Sequence, residues 1–113
     1  MAGSAQDHDL HSSTERLEVA VTLLMLLADR TRLALLEHLS RGEAGVTELT
    51  EATGGARPAV SQHLAKLRLA GVVTTRKEGR RVIYAVRHGH LSRLVAEALS
   101  AADHELGDLP SHD

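Results

Sequence analysis

The hydrophobic period of the chain changes at residue 71. Before it, "ARPAVSQHLAKLRLAG" (56–71) gathers Val60, Leu64, Leu67 and Gly71 on one side of a helix turning 100° per residue. After it, "VVTTRKEGRRVIYAV" (72–86) is rich in β-branched residues in a two-residue alternation, with "KEGR" at its centre as a turn. Pro58 suits the first turn of the helix, where its missing N–H costs nothing. Gly79 supplies the backbone freedom a tight hairpin needs. A helix that runs straight into a two-stranded hairpin admits few folds.

The preceding segment narrows the choice. "GVTELTEATG" reads as a short helix capped by Thr47, with Val46 and Leu49 inward and Gly54-Gly55 as a break. A short helix, a tight turn and a second helix with polar residues at its start form a helix-turn-helix, and the hairpin adds a wing. Two helices lead in. In "SSTERLEVAVTLLMLLA", Ser12 and Glu15 fit a capping box, and residues 17–27 are apolar on more than one face. In "DRTRLALLEHLSRGE", Asp29 caps and Leu33, Leu36 and Leu39 form a stripe supported by Leu35, ending at Arg41-Gly42. The closing helix, "HGHLSRLVAEALSAADHEL", carries its apolar residues at spacings of three and four.

The expected fold is therefore mainly α with a small β-hairpin: a winged helix-turn-helix in the order α-α-α-α-β-β-α. The expected organisation is an N-terminal arm (1–12), one domain (13–106) and a C-terminal tail (107–113). A first helix apolar all round and an amphipathic last helix both require a partner surface. The residues expected to face it are Leu17 and Leu24 in the first helix, with Leu91, Leu94, Val95, Ala98, Leu99 and Ala102 in the last. These faces predict a dimer.

Composition excludes several classes. There is no cysteine, so disulfides and thiolate metal sites are impossible. "MAGSAQDHDLHSS" lacks the basic and apolar regions of a signal peptide, and the run 19–28 is too short to span a bilayer. A cytoplasmic protein without membrane contact is expected. No nucleophile–base set or glycine-rich phosphate loop is visible, so an enzyme is not expected. The net charge of -2 hides an asymmetry. Residues 56–87 hold eight basic residues against Glu78 alone, a net +7, and the remainder is net -9. A basic segment in an acidic chain favours a polyanion as partner.

The wording of two stretches, "LADRTRLALL" and "VSQHLAKLRLAGVV", with the "EGRRVIYAV" wing and the order of elements, resembles the ArsR/SmtB family of bacterial metal-responsive repressors. The likeness covers roughly residues 17–104. It implies a homodimer, joined through the first and last helices, that binds a palindromic double-stranded DNA operator and usually releases it when metal binds. By position, base contacts fall on Arg57, Ser61 and Gln62; Arg suits guanine and Gln suits adenine by bidentate geometry. Pro58 stands where relatives often carry a polar residue, so one contact is either missing or replaced by van der Waals packing. Lys66 and Arg68 on the helix, and Lys77, Arg80 and Arg81 on the wing, are the phosphate candidates. His63 lies toward the core-facing edge, where a locally bonded histidine competes with a base-contacting one.

The resemblance also implies where an ion is sensed. A thiolate pair used by some relatives would fall on Gly45 and Thr47, which excludes thiolate sensing of arsenic, lead or cadmium. On the last helix, the four-ligand pattern of relatives falls on His88, His90, Ala101 and His104, with Asp103 able to stand in for the missing ligand. His90 and His104 are about 21 Å apart along one helix, so a shared ion needs the two antiparallel helices of a dimer, with Glu97 near the axis. The pattern is most similar to the actinobacterial nickel- and cobalt-sensing branch, which recruits further histidines from the chain ends. Here these are His112 with Asp113 in the tail, and His8 and His11 in the arm. A sulfur-free set of imidazole and carboxylate suits Ni(II) or Co(II) ahead of Zn(II), with no ion needed for folding. His38 is read as structural.

Two alternatives stand beside this reading. One keeps the DNA-binding regulator but takes Ala101 as the sign of a degenerate metal site, with control by a second regulatory protein or another signal, activation included. The other, of a different class, makes the winged helix a protein-interaction scaffold.

Overall fold

The computed structural model describes residues 12–108. Its elements are α1 (Ser13–Leu27), α2 (Arg30–Arg41), β1 (Ala44–Gly45), α3 (Val46–Thr53), α4 (Arg57–Leu69), β2 (Val73–Glu78), β3 (Arg81–Val86) and α5 (Gly89–Gly107). This is the winged helix-turn-helix expected from the period change, with one addition. The two-residue β1 pairs antiparallel with β3, making a three-stranded sheet in the order β1-β3-β2. Two residues are too few for an alternation to show in sequence.

Local chemistry sets the boundaries. The capping box at α1 is formed, Ser12 Oγ accepting from the Glu15 amide and Glu15 Oε1 accepting from the Ser12 amide, each at 3.0 Å. Asp29 caps α2 by accepting from the Arg32 amide at 2.9 Å, and that bond is the main reason its carboxyl lies below the usual range. Thr47 does not cap α3. The helix starts a residue before it, so Gly45 is the N-cap and makes no side-chain cap bond.

The end of α4 shows why the period changes where it does. The Gly71 amide donates to the Arg68 carbonyl and the Val72 amide to the Leu67 carbonyl, both at 2.9 Å, with Gly71 at φ 76°. These are the paired bonds of a Schellman ending, which turns the chain out of the helix at a residue able to take positive φ. Val72, already buried, then leads into β2. The hairpin joins Glu78 to Arg81 across the two-residue loop Gly79-Arg80, with Gly79 at φ 63°.

The core lies between α2, the helix-turn-helix and the start of α5. Leu35, Leu49, Val60, Leu64 and Leu67 have no exposed surface, and Leu36, Val72 and Val95 almost none. The expected α2 stripe shifts by one contact: Leu35 joins Leu36 and Leu39 inside, and Leu33 is half-buried at the rim. Of α1, only Leu27 is buried, while Leu17, Val19, Val21, Leu24 and Met25 stay between 50% and 68% exposed.

Candidate nucleic-acid interface

Helix α4 is divided lengthwise. Val60, Leu64 and Leu67 fix one face in the core, which leaves Arg57, Pro58, Ser61, Gln62 and Lys66 on the surface, as the spacing predicts. The turn into it depends on Gly54, which ends α3 at φ 69°. Gly55 follows, where a methyl group would meet Val60 Cγ2 at 3.2 Å. Arg57, Pro58, Ser61 and Gln62 sit on the first two turns, where unpaired amide donors and the positive helix terminus favour an anionic partner, and Lys66 lies in the last turn. Arg57 Nη1 donates to Thr47 Oγ1 at 3.0 Å, which braces the guanidinium across the turn between the helices. His63 behaves as the locally bonded residue. Its Nδ1 lies 3.3 Å from Arg32 Nη1 and 3.8 Å from Asp29 Oδ2, and its side chain is one-quarter exposed.

The wing carries the other cations, and they fall into two groups. Arg81 pairs with Glu48 of α3. Arg76 pairs with Glu43 and, at 3.0 Å, with Glu78. Both carboxylates reached across the fold, Glu43 and Glu48, are held below the usual carboxylate range, chiefly by hydrogen bonds from these arginines. Lys77 and Arg80 have no carboxylate partner among the described residues and are fully at the surface. Lys66 and Arg68 are likewise exposed. Glu43 and Glu48 were not singled out in sequence: each lies 33 residues from its arginine, a separation no local pattern reports.

The residues read as sensing are less assembled. His90 Nδ1 lies 2.9 Å from Arg93 Nη2, and its ring meets His88 edge-on at 5.5 Å. His104 pairs with Asp108, Nε2 to Oδ2 3.1 Å, rather than with Asp103, which lies about 100° around the helix. Among the described residues no three histidine or carboxylate side chains gather closely enough to hold an ion. His112, with His8, His11 and Asp113, lies outside the described residues.

The expected partner-facing set divides in the same way. Leu91 and Val95 are corrected: both are buried in the protomer's own core, because the first turns of α5 lie against α2. Leu17, Leu24, Leu94, Ala98 and Ala102 are exposed and Leu99 is half-buried. Leu24, Leu33, Leu94 and Ala98 line an apolar notch of about 220 Å³ between α1 and α5.

Known proteins place this geometry. Residues 29–75 match the model of the bacterial regulatory protein, arsR family. The HTH-type transcriptional regulator KmtR of Mycobacterium tuberculosis is 40% identical over 83% of this chain and 72% of its own length. The chain belongs to the ArsR family. A second relative, the HTH-type transcriptional regulator NmtR of the same organism, is 38% identical over 77% of this chain and 72% of its own. The solution structure of the homodimeric winged helix-turn-helix DNA-binding domain Mb0332 from Mycobacterium bovis superposes with a TM-score of 0.76. It is 29% identical and covers the whole of both chains. Within this ArsR-family chain, the two positions that resemblance assigns to a thiolate pair are occupied differently. Gly45 backs onto the Arg81–Glu48 pair and Thr47 accepts from Arg57. Among the described residues no helix is long and apolar enough to cross a membrane.

Proposed function

We propose that this chain is a transcriptional repressor that binds a palindromic operator as a homodimer. The observation that supports it most is the division of α4, three wholly buried residues holding a surface of Arg57, Ser61 and Gln62 at the helix start. That surface fits a major groove, with Lys77 and Arg80 at the wing placed for phosphates beside it. The exposed apolar face of α1 and the notch against α5 support pairing through these helices, since so much leucine is rarely left to water. The family and the likeness to a homodimeric DNA-binding domain support the same reading.

The regulatory ligand proposed is Ni(II) or Co(II), ahead of Zn(II). The donor chemistry fits: His90 and the His104–Asp108 pair offer nitrogen and oxygen without sulfur. Among the described residues one chain offers only pairs, and the two α5 helices of a dimer would bring more of these donors together. Bound there, an ion would supply a cross-link between subunits that favours one dimer geometry. His90, His104 and Asp108 would hold it.

Fluorescence anisotropy on the DNA upstream of the protein's own gene tests both levels. Metal-free protein should bind it in preference to scrambled DNA. Ni(II) or Co(II) should change the affinity by more than about tenfold, or about 1.4 kcal/mol of coupling. No preference for any upstream segment would contradict the repressor reading. Preference indifferent to all three ions would remove the metal and leave the DNA binding.

A further inference from the structure

We infer that Glu48, Arg81 and Gly45 form a clasp that fixes the wing to the helix-turn-helix, so that Arg81 positions the wing and does not contact DNA. This rests on the DNA-binding reading above. Arg81 is the first residue of β3 and Glu48 belongs to the first turn of α3; their side chains are paired across the gap between wing and helix. The pair lies over the backbone of Gly45. A methyl group there would come within 2.8 Å of Arg81 Nη2 and 2.9 Å of Glu48 Oε1. The absent side chain makes the space into which guanidinium and carboxylate fit.

The clasp has a rigid footing. Gly45 pairs with Ile83 in the sheet and, as the N-cap of α3, begins the helix that holds Glu48. Both partners are therefore anchored within two or three residues of the same strand pair. Glu48 also favours the positive end of its helix, which keeps the carboxylate ionised and in place. Arg76, clasped by Glu43 and Glu78, ties the other strand of the wing to the segment just before β1. Two ties on two strands restrain the hairpin against swinging about its root. Lys77 and Arg80, carrying no such partner, are left as the cations that meet phosphate.

The two roles for Arg81 predict opposite signs. If it positions, Glu48→Gln and Arg81→Gln should each weaken operator binding by about threefold, the scale of an exposed ion pair. The slope of affinity against salt should not change. If it contacts phosphate, Arg81→Gln should lower that slope by about one unit, and Glu48→Gln should tighten binding by removing a competing carboxylate. The charge-reversed double variant, Glu48→Arg with Arg81→Glu, separates the roles again. A restored pair should bring affinity closer to the parent than Glu48→Arg or Arg81→Glu alone, short of full recovery because arginine at the start of α3 opposes the helix dipole. A glutamate left facing phosphate would not be rescued.

A tightened Glu48→Gln complex, a slope reduced by Arg81→Gln, or no recovery in the reversed pair would overturn the clasp. Should the parent protein bind no DNA, the DNA-binding reading fails by itself. The clasp is then judged on free protein by ¹⁵N relaxation of the Gly79 and Arg80 amides. Faster motion is expected in both single variants, and unchanged relaxation in both would overturn it.

Discussion

Helices α1 and α4 both carry several apolar residues and treat them in opposite ways. In α4 three aliphatic residues are wholly inside, and the exposed face at its start is polar and basic. In α1 a single residue, Leu27, is buried, and leucine, valine and methionine remain exposed along its length. Helix α4 packs Val60, Leu64 and Leu67 within its own protomer and leaves a polar, basic surface at its start. Helix α1 leaves most of its apolar residues uncovered by its protomer. On the proposed function, this difference separates the helix that would read DNA from the helix that would assemble the dimer.

That contrast can be broken at either end. The largest effect is expected from Leu64→Ala, which empties a fully buried position under the reading face and should destabilise the fold by about 2–5 kcal/mol in urea unfolding. Loss below about 0.5 kcal/mol would mean that the face is not anchored as described. Leu24→Glu in α1 should act differently. It should shift sedimentation from dimer to monomer and lose operator affinity, and the far-ultraviolet spectrum should stay that of a folded chain. A dimer of unchanged stability would place the subunit contact elsewhere. Smaller again is Arg80→Gln, which should reduce the salt slope of DNA binding by about one unit without altering sequence preference.

The smallest effect is on acid stability. Asp29, Glu43 and Glu48 are held below their ordinary carboxyl values, first by the hydrogen bonds they accept from the Arg32 amide, Arg76 and Arg81 respectively. Depressed carboxyls contribute stability above their unfolded values. That contribution fades as pH falls through about 4 toward the folded values. Asp29→Asn should therefore lower stability modestly at neutral pH, where the ionised carboxylate contributes, and converge on the parent below about pH 4, which flattens the acid limb. An acid limb as steep as the parent's would show that the cap does not contribute in this way.

Much of the fold was legible because its signals are local. The Ser12–Glu15 box, the Asp29 cap, the face of Val60, Leu64 and Leu67, and the turn at Gly79 each lie within a few residues. So was the exposure of Arg57, Ser61 and Gln62, which follows once the buried face is known. Less legible was whatever depends on pairing across the fold. β1 exists only because β3 passes beside it, and Thr47 lost its capping role to a helix that began earlier. The distinction between Arg81, paired with Glu48, and Arg80 beside it is invisible in "EGRR". The same limit placed Leu91 and Val95 on a partner: periodicity shows that α5 has an apolar face but not which neighbour covers each part of it.

The central claim is that the start of α4 selects the DNA sequence, and one measurement bears on it most directly. Binding of the Arg57→Ala/Gln62→Ala variant would be compared on operator and scrambled duplexes at fixed salt, with sedimentation confirming the dimer. At about 1–3 kcal/mol per bidentate contact, the preference for operator should collapse while weak binding to any duplex persists. A variant that still prefers its operator as strongly as the parent would contradict the account.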